Sequence, residues 1–186
     1  MSIKSIKTGW TGISALAGNP VLGDFESIAT VSVGAGGSST ITFSSIPSTY
    51  KHLQIRMIQV SSSPNNAILA RFNSDSGSNY STHDTGGSGA STYSEGLTNR
   101  TYVPFGYTGA TYVAPSICDI LDYADTNKYK TVRTIGGNDA NGLTRYAVFQ
   151  SGNWRNTAAI TSITLTHGAA VNFAEHSHFA LYGIRG

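Results

Sequence analysis

From Glu26 onward, apolar residues alternate with polar ones over short runs, and clusters of Gly, Asn, Asp and Ser separate the runs. In "STITFSS", Ile41 and Phe43 fall on one face of an extended chain and Thr40 and Thr42 on the other, the period-two pattern of a half-buried strand. "SIATVSVG" carries Ile28, Val31 and Val33 in a less regular version of the same pattern, and "GAGGS" supplies a turn between the two strands. Pro47 cannot donate a ladder hydrogen bond and biases Ile46 toward an extended backbone, so a corner follows and the next strand begins near Tyr50. In that strand Leu53, Ile55 and Met57 share a face while Ile58 and Val60 fall on the other. This phase slip predicts either a β-bulge or a strand covered on both sides.

Further strands are expected in "AILARFN", "NRTYVPFGY", "SICDILDY", "YKTVRTIGG", "TRYAVFQSG", "AITSITLTH" and "HFALYGIRG", roughly eight to ten short strands in all. No segment carries a helical repeat longer than about two turns, although "CDILDYADTNKY" has room for one helical turn, with Asp119 and Asp122 spaced i, i+3. The pattern predicts an all-β fold, an antiparallel β-sandwich of jelly-roll type over residues 26–186. Residues 1–25 lack a sustained period and include a turn at Asn19-Pro20, so they read as an extended N-terminal arm. The stretch Asn73 to Asn99 is the longest without apolar content and is expected as a long loop, either a binding surface or a plain surface excursion.

Composition narrows the function classes. The 186 residues suit one domain, and a chain of this size buries roughly 70% of the surface its unfolded form exposes. Charged residues make up only 12% and the formal charge is +2, without a Lys/Arg cluster able to release counterions from a phosphate backbone. Nucleic acid is therefore not an expected partner. No run approaches the ~20 apolar residues that span a bilayer, and the N-terminus lacks a signal-peptide core, so synthesis in a cytoplasm without export or membrane insertion is expected. On that expectation the sequons at Asn79 and Asn99 carry no glycan. Cys118 is the single cysteine and reads as a small buried hydrophobe.

Candidate chemistry is sparse. No nucleophile elbow, phosphate loop, zinc-protease helix or EF-hand spacing is present, and the glycine clusters at 34–37 and 86–89 precede no helix. Asp119, Asp122 and Asp125 are the densest acidic group, and the neighbouring Lys128 and Lys130 point to solvated ion pairing. His176 and His178 stand two apart and would share one face of a strand, as two ligands of one metal or as hydrogen-bonded strand histidines; further ligands would have to come from His52, His83, His167 or another subunit. No metal and no cofactor is assigned. Tyr80, Tyr93, Tyr102, Tyr107, Tyr112, Trp10 and Trp154 offer aromatic surface for sugar stacking or for core and interface packing. Tyr80 and Tyr93, within the expected loop, are the candidate glycan contacts.

Four blocks, "DFESIATVSVGAGGSSTITFSSIPSTYKHLQIR", "LDYADTNKYKTVRTIGGNDANG", "FQSGNWRNTAAITSITLT" and "FALYGIRG", together resemble a β-sandwich module of tailed-bacteriophage virion proteins, such as tail fibres, head fibres and head decoration proteins. The resemblance spans residues 24–186. It implies a non-enzymatic structural protein of the virion, a capsid decoration or cement protein or a short fibre component, with phage capsid or tail proteins as partners. It also implies a homo-oligomer, with a trimer favoured. No repeat-rich shaft precedes the module, so a small accessory protein is expected rather than a long fibre. The arm takes the place of the segment that ties related modules to the particle, and its apolar residues Ile3, Ile6, Trp10, Ile13 and Leu16 are the candidate attachment residues. The alternative implied function is carbohydrate-binding host adhesion.

Overall fold

The computed structural model describes residues 24–63, 66–109, 112–138 and 146–186. The candidate attachment residues Ile3, Ile6, Trp10, Ile13 and Leu16 lie outside the described residues. Among the described residues the fold is all-β, without a helix. Its strands are β1 Phe25–Ser32, β2 Thr40–Phe43, β3 His52–Gln59, β4 Ala67–Phe72, β5 Tyr80–Gly87 and β6 Thr92–Arg100, followed by β7 Val103–Tyr107, β8 Ala114–Leu121, β9 Lys130–Asn138, β10 Tyr146–Trp154, β11 Ile163–His167 and β12 His178–Ile184. They form two antiparallel sheets, ordered β1-β12-β3-β8-β9-β10-β5-β6 and β2-β11-β4-β7. The sheets bury one shared apolar layer between them, the arrangement of a β-sandwich.

The alternation read from the sequence is visible in the burial of each strand. Ile41 and Phe43 of β2 point into the core, as do Leu53, Ile55 and Met57 of β3. β3 is central in its sheet and pairs with β12 and β8 without a register shift, so its phase slip is not a bulge. Nor is its second face covered by the described residues, because Ile58 points outward and is 49% exposed. β1 does shift register, between Ser27 and Ala29, and this explains the irregular spacing of Ile28, Val31 and Val33.

Local turn chemistry fixes the corners. "GAGGS" closes through a hydrogen bond from Gly37 N to Gly34 O, with Gly36 and Gly37 at positive φ. The corner at Pro47 is held by Tyr123, which is fully buried and whose hydroxyl donates to the Pro47 carbonyl. The segment "CDILDYADTNKY" contains no helical turn. β8 ends at Leu121, and Asp125 N donates to Asp122 O across a tight turn at 3.0 Å. At one end of the shared core, Phe72 of β4 packs against Tyr80 of β5, Phe105 of β7 and Trp154 of β10 at centroid distances of 5.6–6.1 Å.

Candidate functional site

The stretch expected as a long loop is a β-hairpin. β5 and β6 pair along its length at the edge of the larger sheet, and the connection closes through Ser88 N to Ser91 O, with Gly89 at φ +83. The inward positions of β5 are Tyr80, Thr82 and Asp84, so polar groups occupy sites that usually hold aliphatic residues. Both candidate glycan contacts are affected. Tyr80 is fully buried, which removes it from contact with any sugar. Its hydroxyl accepts from Phe72 N and donates to Asp75 O, both at 3.1 Å, and burial pushes its pKa up to about 12. Tyr93 is half-buried, with its hydroxyl turned inward against Gly86 and toward Tyr107, and burial raises its pKa as well.

Asp84 stands directly opposite Glu95 across the hairpin. Gln150 Nε2 donates to Asp84 Oδ2 at 3.1 Å, Gly106 N donates to Gln150 Oε1 at 2.7 Å, and Asp84 Oδ1 has no partner. Burial first, and the facing Glu95 charge after it, raise the Asp84 pKa. With Asp84 only 8% exposed, Glu95 is the carboxylate of this pair that meets solvent.

The histidine pair does not share a strand face. His176 sits in a turn at φ +71, with its backbone N donating to Val33 O, whereas His178 opens β12 and its Nδ1 lies 3.1 Å from Ser32 Oγ. His52 Nδ1 accepts from Asp122 N, and buried His167 contacts Thr108 Oγ1 through Nε2 at 2.8 Å. Among the described residues no group of three or more His, Cys, Asp or Glu gathers as a metal would require.

Ion pairs engage two of the three clustered aspartates. Asp122 meets Lys128 at 2.7 Å and Lys51 at 2.9 Å, and these hydrogen bonds hold its carboxyl down to about 2. Asp125 meets Lys128 at 3.4 Å, while Asp119 accepts from Gln54 Nε2 at 2.8 Å. Lys130 behaves differently from its sequence neighbourhood: it is fully buried, and its ammonium donates to the backbone carbonyls of Asp125, Lys128 and Thr157. Cys118 is fully buried, and burial raises its thiol pKa well above the ordinary range.

The feature that sequence reasoning missed lies on the outward face of the larger sheet. Ile117 of β8 is opposite Ile135 of β9, which is opposite Phe149 of β10, so three apolar side chains form a row across neighbouring strands. They are 45%, 66% and 44% exposed, and Ile58 and Val113 beside them are 49% and 52% exposed. A groove of about 590 Å³ runs alongside, and Val113, Pro115, Ile117, Ile135, Gly136 and Gly137 are among the residues that line it. Its signal was present in the sequence as the slip at Ile58, and again in "SICDIL", "TVRTIGG" and "AVFQ", where an apolar residue falls on the polar phase. Compared with known proteins, the chain matches no family model and no curated sequence.

Proposed function

We propose that this chain is a non-enzymatic structural protein of a tailed-bacteriophage virion, a capsid decoration or cement protein or a short fibre component. In this reading residues 1–25 tie it to capsid or tail proteins, and the sandwich assembles into a homo-oligomer, with a trimer favoured. The observation that carries the reading is the outward apolar face centred on Ile135, set on a domain whose charged residues are few. Contiguous apolar patches of a few hundred Å² are often functional, and protein–protein contact is one of their uses. The four blocks that resemble phage virion modules add support, since between them they contain β1, β2 and β9 together with most of β3, β10, β11 and β12. Attachment and assembly by shape and buried apolar area need no reaction chemistry.

The test is incorporation into phage particles, read by cryo-electron microscopy of particles assembled with the full chain or with a chain lacking residues 2–23. The expected result is density for the full chain on the particle, and a truncated chain that folds and still oligomerises but is missing from particles. Incorporation without residues 2–23, or no particle density for the full chain, would overturn the reading. Host-glycan adhesion, the alternative, has lost Tyr80 as a contact; a glycan-array signal from a chain that never enters particles would put it first.

A further inference from the structure

We infer that the outward face of the eight-stranded sheet, centred on Ile117, Ile135 and Phe149, is where copies of this chain pack against one another in a closed homo-oligomer. The inference rests on the oligomeric half of the proposed function and assigns it a surface.

Area is the first argument. Five side chains, Ile58, Val113, Ile117, Ile135 and Phe149, are each about half exposed. Half-exposed aliphatic and aromatic side chains offer roughly 80–100 Å² each, so the patch amounts to about 450 Å² of apolar surface. A stable protein–protein contact buries about 800 Å² per partner, of which somewhat under two thirds is apolar. The patch is thus the size of the apolar core of one such contact, larger than scattered surface residues require.

Charge is the second. The next outward row toward the other end of these strands holds Gln54, Asp119, Arg133 and Ser151, with Arg56 beside Ile117. Gln54 Nε2 donates to Asp119 Oδ1 and Gln54 Oε1 accepts from Arg56 Nε, both at 2.8 Å. The rim therefore carries both signs within one row. A polyanion or an acidic membrane surface would be matched by a single positive sign, whereas a symmetry-related copy presents the same mixed row and can pair plus with minus.

Shape is the third. Ile135, the most exposed of the large hydrophobic side chains among the described residues, stands at the groove that Gly136 and Gly137 also line. A projection and a hollow side by side on one face are what a symmetric contact uses, because each copy brings both.

The experiment compares the full-length protein with Ile135→Asp, Ile135→Thr and Phe149→Asp by sedimentation equilibrium over a wide range of micromolar concentrations. Far-UV circular dichroism serves as the fold check. Tyr129→Asp is the control, since Tyr129 is 53% exposed and precedes β9 away from the patch. The expected result is a defined oligomer for the parent and the control, and association weakened about 100-fold or more in the face variants, as for residues central to an interface. Ile135→Thr keeps a β-branched side chain, so it gives the answer even where an aspartate disturbs the strand. Face variants that retain the parent mass would overturn the inference while leaving the oligomer intact. A parent that stays monomeric throughout would overturn it together with the oligomeric half of the proposed function. Attachment through residues 2–23 is tested separately by particle incorporation.

Discussion

At the scale of single residues, two aspartates titrate in opposite senses. Asp84 is buried beside Glu95 with one oxygen unpartnered, so its folded pKa lies above the ordinary value of 3.8. The folded state then holds the proton to higher pH than the unfolded chain. Stability from this site is full below about 3.8 and is lost as pH rises through the raised folded value. Asp84→Asn, a neutral side chain of the same shape, is expected to gain about 1 kcal/mol near neutral pH and to flatten that part of the profile, read by urea unfolding at about pH 5 and about pH 8. A variant that is weaker at both would show that the carboxylate is held by its partners. Asp122 has the usual sign: hydrogen bonds from Lys128 and Lys51 lower it to about 2, so its contribution is present above 3.8 and is lost as pH falls through about 2. Asp122→Asn should remove this acid-side loss while tolerating the positive φ of 49° at that site, and an unchanged acid limb would refute the assignment. Lys130 tests a third kind of site. Its ammonium satisfies three carbonyls from full burial, so Lys130→Met strands them and should lower stability by roughly 2–3 kcal/mol in the same unfolding assay.

At the scale of elements, the positions of Gly183 and Tyr50 show how β12 is clamped. The Tyr50 ring lies over Gly183, where an added Cβ would stand 2.3 Å from it, and Tyr50 Oη donates to Glu26 Oε2 at 2.7 Å. Arg185 completes the clamp, contacting Glu26 at 3.2 Å and the Tyr50 ring at 5.3 Å. Gly183→Ala should displace the ring and lower stability by about 1–3 kcal/mol, measured by thermal unfolding. The β5–β6 hairpin is the opposite case, since β6 is an edge strand with no buried residue along its nine positions. Its amides should exchange with solvent well before those of β3, β8 and β9, and equal protection would show that something covers the edge. The same contrast explains what the sequence made legible. β2 and β3 were readable because Ile41, Phe43, Leu53, Ile55 and Met57 mark the inward phase with apolar side chains. The hairpin was not, because its inward phase is carried by Tyr80, Thr82 and Asp84, which a hydropathy pattern reads as loop. Turn geometry, not composition, separated His176 from His178. The apolar face needed pairing register, since Ile117, Ile135 and Phe149 lie on three strands and become neighbours only once β8, β9 and β10 are aligned.

At the scale of the whole molecule, the two sheets share one apolar layer, so neither retains a core when the other leaves. Trp154 reports on that layer: it is 1% exposed, its indole N–H donates to Asp75 Oδ2 at 2.7 Å, and its ring packs on Phe72 of the smaller sheet and Tyr80 of the larger. The chain has two tryptophans, so Trp10→Phe leaves Trp154 as the sole tryptophan, read by selective excitation at the red edge of its absorption. In that variant the red shift of Trp154 emission and the loss of far-UV β signal should follow one denaturant curve. Strand signal lost ahead of Trp154 exposure would mean that part of the larger sheet, the hairpin foremost, unfolds on its own. Assembly adds a second dependence. Where copies bind only in the folded state, the midpoint rises with protein concentration by mass action. If the outward face supplies the contact, Trp10→Phe alone should show that rise, and Trp10→Phe combined with Ile135→Thr should unfold at a midpoint independent of concentration, with the emission of the folded form unchanged. A concentration-dependent midpoint in both would place the contact on another surface of the sandwich.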